Sequence, residues 1–215
     1  MWVLCELSRA FKADFFSVLL KFIKHILTKN MNLMIIKNLK GEYHCENGRE
    51  YFKLNDTAIP INLLSSGQQE ALWIFNQLYL HMLRKDKVFL IVEEPEAHLY
   101  PSLQKEIVDF IALFANVTGS SAFITTHSPY VLTATNNLYY AGRLHQDKPE
   151  DVEKIMGKHK MIAPGSLTAL KLSLESSPQN LIDEDEDLMP ELIDDISNEI
   201  NQAYTQLFYL EESDG

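Results

Sequence analysis

The chain has 215 residues, a net charge of −11, 46% apolar residues and 23% charged residues. This is the make-up of a globular domain, and it excludes a chain-wide basic surface, so that nucleic acid has at most a local patch to bind. The two cysteines, Cys5 and Cys45, lack metal-ligand spacing and read as free thiols of a reducing cytosol.

In chain order, Phe11, Phe15, Val18, Leu19, Phe22 and Ile26 recur at helical spacing, so residues 1–30 predict an amphipathic helix. Lys21 and Lys24 interrupt its apolar run, which is shorter than the ~20 residues a membrane span needs. Its mixed-charge front end differs from a secretory signal, and the expectation is a cytoplasmic protein with no membrane contact. A β-rich stretch follows: Met31 to Ile36, Glu42 to Glu46, Glu50 to Leu54 and Ala58 to Leu64 read as short strands. Gly41, Asn47-Gly48 and Asn55-Asp56 separate them, which predicts an antiparallel meander.

From Ser65 the pattern changes. Ala71, Ile74, Phe75, Leu78 and Met82 mark a helix face; Val88 to Val92, VFLIV, reads as a strand buried on both faces of a parallel sheet. Pro101 opens a second helix with Leu103, Ile107, Phe110, Ile111 and Phe114 on one face, and Ser121 to Thr126 reads as the next strand. Alternating helix and strand predict an α/β core. Leu138 to Leu144 reads as one more strand, and Lys148 to Met161 as loop or short helix. Ser176 to Asp187, with its DEDED run, reads as a solvated acidic loop, and Pro190 starts a terminal helix. Residues 1–30, 31–145 and 146–215 are thus expected to form an N-terminal amphipathic helix, an α/β region and an accessory region with the acidic loop and terminal helix.

Chemistry concentrates where strands end. VFLIV runs into Glu93, Glu94, Pro95 and Glu96, and SAFITT runs into His127, Ser128 and Pro129. In open α/β sheets, ligands bind beyond the carboxyl ends of the strands. If the two strands are parallel neighbours, acids, hydroxyls and one imidazole meet at one edge, an oxygen-rich set suited to magnesium. Upstream, Leu64 to Glu70, LSSGQQE, places Ser65, Ser66 and Gly67 at the mouth of a helix. Free backbone N–H groups and the positive dipole end make that mouth an anion site, with phosphate the obvious anion.

The three stretches LLSSGQQ (63–69), VFLIVEEPEAHLYP (88–101) and FITTHSP (123–129) together resemble the C-terminal half of an ABC-class ATPase head. More closely, the set resembles bacterial AAA-family ATPases related to the heads of overcoming-lysogenization-defect and structural-maintenance-of-chromosomes proteins. The resemblance spans roughly residues 60–130 and implies a partial P-loop NTPase fold of α/β class with ATP and Mg2+ as cofactors. It implies that Ser65, Ser66, Gly67 and Gln68 form a signature turn contacting the γ-phosphate of ATP held by a partner subunit. It implies that Glu93 holds magnesium through water, that Glu94 is the general base and that His127 senses the γ-phosphate. Glu96 to Tyr100 would contact the other subunit of a dimer. Two positions depart from the family pattern: aspartate is more common where Glu93 stands, and histidine where Tyr100 stands.

No G-x-x-x-x-G-K-[S/T] phosphate loop occurs in the chain. The expectation is the C-terminal half of a longer ATPase, inactive as the isolated chain, with a homodimer or a complementing ATPase half as its partner. The alternative is a non-catalytic interaction module that lends its surface to another ATPase. Simpler readings exist for each motif: Ser65 as a helix cap, His127 as a turn residue and His98 as a structural residue. A nuclease reading of DEDED lacks a preceding strand ending in Glu-Gly. A serine-hydrolase reading lacks G-x-S-x-G.

Overall fold

The computed structural model describes residues 41–46, 49–55, 57–174, 176–183, 188, 202 and 205. The expected N-terminal helix, the strand at Met31 to Ile36, Asn47-Gly48, most of the DEDED run and the body of the terminal helix lie outside these residues. The chain divides into two compact units, residues 1–126 and 127–215.

In the first unit, β1 (Glu42–Glu46), β2 (Arg49–Leu54) and β3 (Thr57–Pro60) form an antiparallel meander in the order β1-β2-β3. Glu46 pairs with Arg49 and Leu54 with Thr57, and Asn55 takes a left-handed φ of 54°. The strand expected to run to Leu64 stops at Pro60, and Ile61–Leu63 forms a single 3-10 turn. Proline has no N–H for a ladder and pre-sets its own φ, so extension ends there.

Next come α1 (Ser66–Arg84), β4 (Phe89–Glu93), α2 (Pro101–Thr118) and β5 (Ser121–Thr125). Proline at the first position starts α2, and Gly119, at φ 68°, ends it. The two helices pack through the faces that their spacing predicts. Ala71, Phe75, Leu78 and Met82 of α1 and Ile107, Phe110, Ile111 and Phe114 of α2 are all buried in one cluster. Phe75 and Phe110 meet edge to face, with ring centroids 5.1 Å apart.

β4 and β5 pair in parallel, from Phe89↔Ser121 to Glu93↔Thr125. β4, expected to be buried on both faces, is buried on one. Leu90 and Val92 pack on the α1–α2 cluster, but Phe89 is 66% exposed, Ile91 62% and Phe123 54%. Successive side chains point to opposite faces, and α1 and α2 cover only one of them. The molecule is therefore of mixed α/β class, with a parallel pair, an antiparallel meander and helices, compatible with a partial P-loop NTPase fold.

The second unit holds α3 (Pro129–Leu144), α4 (Pro149–Met156) and the antiparallel pair β6 (Leu170–Lys171) and β7 (Gln179–Asn180). The strand expected at Leu138 to Leu144 is instead the end of α3. Ser128 caps that helix by accepting from the N–H groups of Tyr130 and Val131 at 3.1 and 3.3 Å, and Pro129 suits its first position. Val131, Leu138, Tyr139 and Gly142 then recur at helical spacing as buried residues. Gly142 admits the carbonyl oxygen of Ile162, with which a Cβ would collide. A smaller apolar cluster of Leu132, Leu181 and Leu188 completes this unit.

Candidate functional site

The helix mouth builds itself from local sequence. Ser65 is the N-cap of α1: its hydroxyl accepts from the Gln68 N–H at 3.3 Å, and the Gln68 side-chain oxygen accepts from the Ser65 N–H at 3.2 Å. This is a reciprocal capping box, formed here by serine and glutamine. The Ser65 hydroxyl also donates to Gln68 Oε1 at 3.1 Å, and Gln69 Nε2 donates to the Leu64 carbonyl at 2.7 Å. Ser65 and Gln68 thus fix the turn, while Ser66 is exposed at its rim. With no acidic residue in the first turn, the positive end of the helix dipole is unopposed there.

Gly67 is buried because the loop after β4 lies against it. A Cβ at this position would collide with the His98 carbonyl oxygen and come within 3.2 Å of Leu99 Cδ2. His98 Nδ1 meets Glu70 Oε1 at 3.0 Å, a second tie between that loop and α1. The sequence assigns Gly67 to close approach by an anion; in the structure the close neighbour is the polypeptide itself. His98 accordingly has a structural partner. Glu70 is a neighbour of this loop that the sequence does not announce, since nothing local links it to a histidine 28 residues away.

The end of β4 carries the acids. Glu93 stands opposite Thr125, and both are exposed. The Glu94 N–H donates to the Thr125 carbonyl at 2.9 Å and lies 3.3 Å from its hydroxyl. Glu94 takes a left-handed φ of 44° and His98 one of 58°. Such backbone costs a non-glycine residue about 1–2 kcal/mol and is held only by surrounding structure. Here the successive turn bonds Ala97 N–H to Glu94 O and Leu99 N–H to Glu96 O, both 2.9 Å, hold it. The Thr126 hydroxyl donates to Glu96 Oε1 at 2.6 Å, tying the β5 end to the same loop.

The first unit therefore gathers the turn at Ser65 to Gln68, the acid pair Glu93 and Glu94, and the hydroxyls of Thr125 and Thr126 around one loop, residues 94–99. His127, which is exposed, opens the second unit and is linked to this rim by its place in the chain, two residues beyond Thr125. Among the described residues no three His, Cys, Asp or Glu side chains cluster as a metal cage. Magnesium needs none, since one or two carboxylates with water and phosphate oxygens are its usual ligands, and the all-oxygen rim at Glu93 fits that chemistry. No helix among the described residues is long and apolar enough to cross a membrane.

Comparison with known proteins gives one partial relative and one family. Over 84 residues the chain is 31% identical to the lipoprotein-releasing system ATP-binding protein LolD of Neorickettsia sennetsu, a match covering 39% of this chain and 35% of that protein. The alignment thus spans about a third of that relative's length. No solved structure matches the chain significantly. The family profile described as AAA ATPase domain matches residues 6–132, more than half of the chain, and the protein belongs to that family.

Proposed function

We propose that this chain contributes to ATP binding and hydrolysis in a composite site completed by a second polypeptide that carries the phosphate loop. The observation that carries this reading is the loop 94–99. It holds the acid pair at the end of β4 and packs against Gly67 at the anion-binding mouth of α1. Family membership and the similarity to an ATP-binding protein support it.

In this reading Ser66 and the N-terminal N–H groups of α1 receive the γ-phosphate of ATP held by the partner, where the helix dipole favours negative charge. Glu94, positioned by Thr125, accepts the proton of the attacking water, and His127 orients the γ-phosphate. Glu93 is the residue that would hold magnesium through water; the ion, when bound, offsets phosphate charge. Phosphoryl transfer asks for this kind of positioning and charge balance rather than covalent catalysis. The partner is a second subunit or a complementing half. The exposed apolar side of β4 and β5 supports a covering layer, because parallel sheets are ordinarily buried on both faces.

A second reading is favoured by one observation, the absence of the phosphate-loop sequence from the 215 residues. In it, the chain lends the α1 mouth to another ATPase and takes no part in activating water. One experiment separates the two. The chain is mixed with the phosphate-loop half of a complete relative, and magnesium-dependent ATP turnover is measured. Turnover that needs both polypeptides supports the first reading. Turnover equal to that of the relative's half alone contradicts both. Turnover that needs this chain but survives Glu94→Gln favours the second.

A further inference from the structure

A cavity of about 410 Å³ opens between the first turns of α1 and the β1–β2 hairpin. Small-molecule sites have about this size. Two aromatic side chains, Tyr43 and Trp73, and two carboxylates, Glu50 and Glu70, line it, with the amides of Asn76 and Gln77 beside them. Among the described residues, no lysine, arginine or histidine lines it. Trp73 is 50% exposed, so half of its indole surface is available to a ligand rather than spent on the core.

The polar groups are held in place. The Tyr43 hydroxyl donates to Glu50 Oε1 at 3.0 Å, and Glu70 Oε1 meets His98 Nδ1 at 3.0 Å. Two carboxylates, Glu50 from the hairpin and Glu70 from α1, in a chain of net charge −11, draw cations and repel anions. Aromatic faces beside them attract a cation through the ring quadrupole. A flat cation gains more than a compact one here. A guanidinium stacks on an indole and presents a fork of N–H groups that matches a carboxylate, whereas an ammonium is a strongly hydrated point charge.

We propose that this cavity binds a guanidinium group, stacked on Trp73 and hydrogen-bonded to the Glu50 and Glu70 carboxylates. The group belongs either to a free arginine-like solute or to an arginine side chain of a polypeptide partner; the chemistry of recognition is the same. Ser66 lies on both the cavity wall and the α1 mouth, so the two sites are neighbours.

The test uses the full chain. It has two tryptophans, so Trp2→Phe leaves Trp73 as the single tryptophan, excited selectively at the red edge beyond tyrosine absorption. Its fluorescence is titrated with agmatine, with a capped Gly-Arg-Gly peptide and with the same capped peptide carrying citrulline, whose urea is the neutral isostere of the guanidinium. The expected result is a saturable change with a guanidinium compound at millimolar concentration and at least about tenfold weaker binding of the citrulline peptide. Saturation by agmatine assigns a free solute; saturation by the peptide alone assigns a partner's side chain. The double substitution Glu50→Gln and Glu70→Gln should weaken binding by about tenfold or more while leaving the far-UV circular dichroism unchanged. The citrulline peptide binding as tightly as agmatine and the arginine peptide, or no saturable response to either cation, overturns the proposal. The citrulline comparison is made on the intact cavity and decides the matter even where the double variant does not fold.

Discussion

Replacing Gly67 with alanine sets two effects of opposite sign against each other. Gly67 is the second residue of α1 and its φ is not left-handed, so propensity alone predicts that alanine stabilises the helix by about 0.5–1 kcal/mol. The structure predicts the reverse. The added Cβ meets the His98 carbonyl oxygen, which is backbone and cannot rotate away. The loop that carries it is pinned by the His98–Glu70 contact and by Leu99, which is 8% exposed. Overpacking of this kind costs about 1–3 kcal/mol, and a backbone neighbour puts Gly67→Ala in the upper part of that range. After the propensity gain, the net loss is about 1–2 kcal/mol. For a unit of 126 residues this lowers the melting temperature by roughly 4–8 °C. Thermal melts followed by circular dichroism read the sign directly. A melting temperature at or above that of the unsubstituted chain would show that the loop does not press on α1 and does not join the two motifs.

Other outcomes follow from the same geometry. Ser65→Ala removes one half of the capping box and should cost about 1 kcal/mol in urea denaturation, while Ser65→Asp should recover most of it; equal stability of all three would remove Ser65 as a cap. Ser66→Arg places a long cation at the α1 mouth and should abolish turnover in the reconstituted ATPase without weakening ATP binding by the phosphate-loop half; retained turnover would contradict the role of that mouth. Burial pushes the Tyr79 phenol from 10.0 up to about 12. The unfolded chain therefore ionises first, and stability should fall as pH rises from about 10 to about 12. Absorbance titration at alkaline pH checks this against Tyr79→Phe, which should flatten that part of the curve.

The helices of the first unit are legible because each carries a start signal and a periodic face. Ser65 with Gln68 announces α1, Pro101 announces α2, and the residues at helical spacing are those the core buries. The acid and hydroxyl ends of β4 and β5 are legible because the strands are parallel neighbours, so equal distances along each reach the same edge. What stays hidden is sidedness. Five consecutive apolar residues, VFLIV, carry no alternation, and nothing in them says that Phe89 and Ile91 face outward. α3 was hidden for a different reason. Its start signal, Ser128-Pro129, lies inside the strand-end stretch FITTHSP, so Leu138 to Leu144 reads as an isolated apolar run instead of the last turns of a capped helix. The Glu70–His98 contact and the cavity beside Trp73 join residues remote in sequence, and no local pattern encodes them.

Glu94→Gln in the reconstituted ATPase tests the role of the 94–99 loop most directly, with ATP turnover and nucleotide-dependent association measured on the same sample. Loss of the water-activating carboxylate should reduce turnover by at least about a hundredfold while ATP holds the two polypeptides together on size-exclusion chromatography. Undiminished turnover, or a complex that ATP does not stabilise, would remove Glu94 and the loop that presents it from the chemistry.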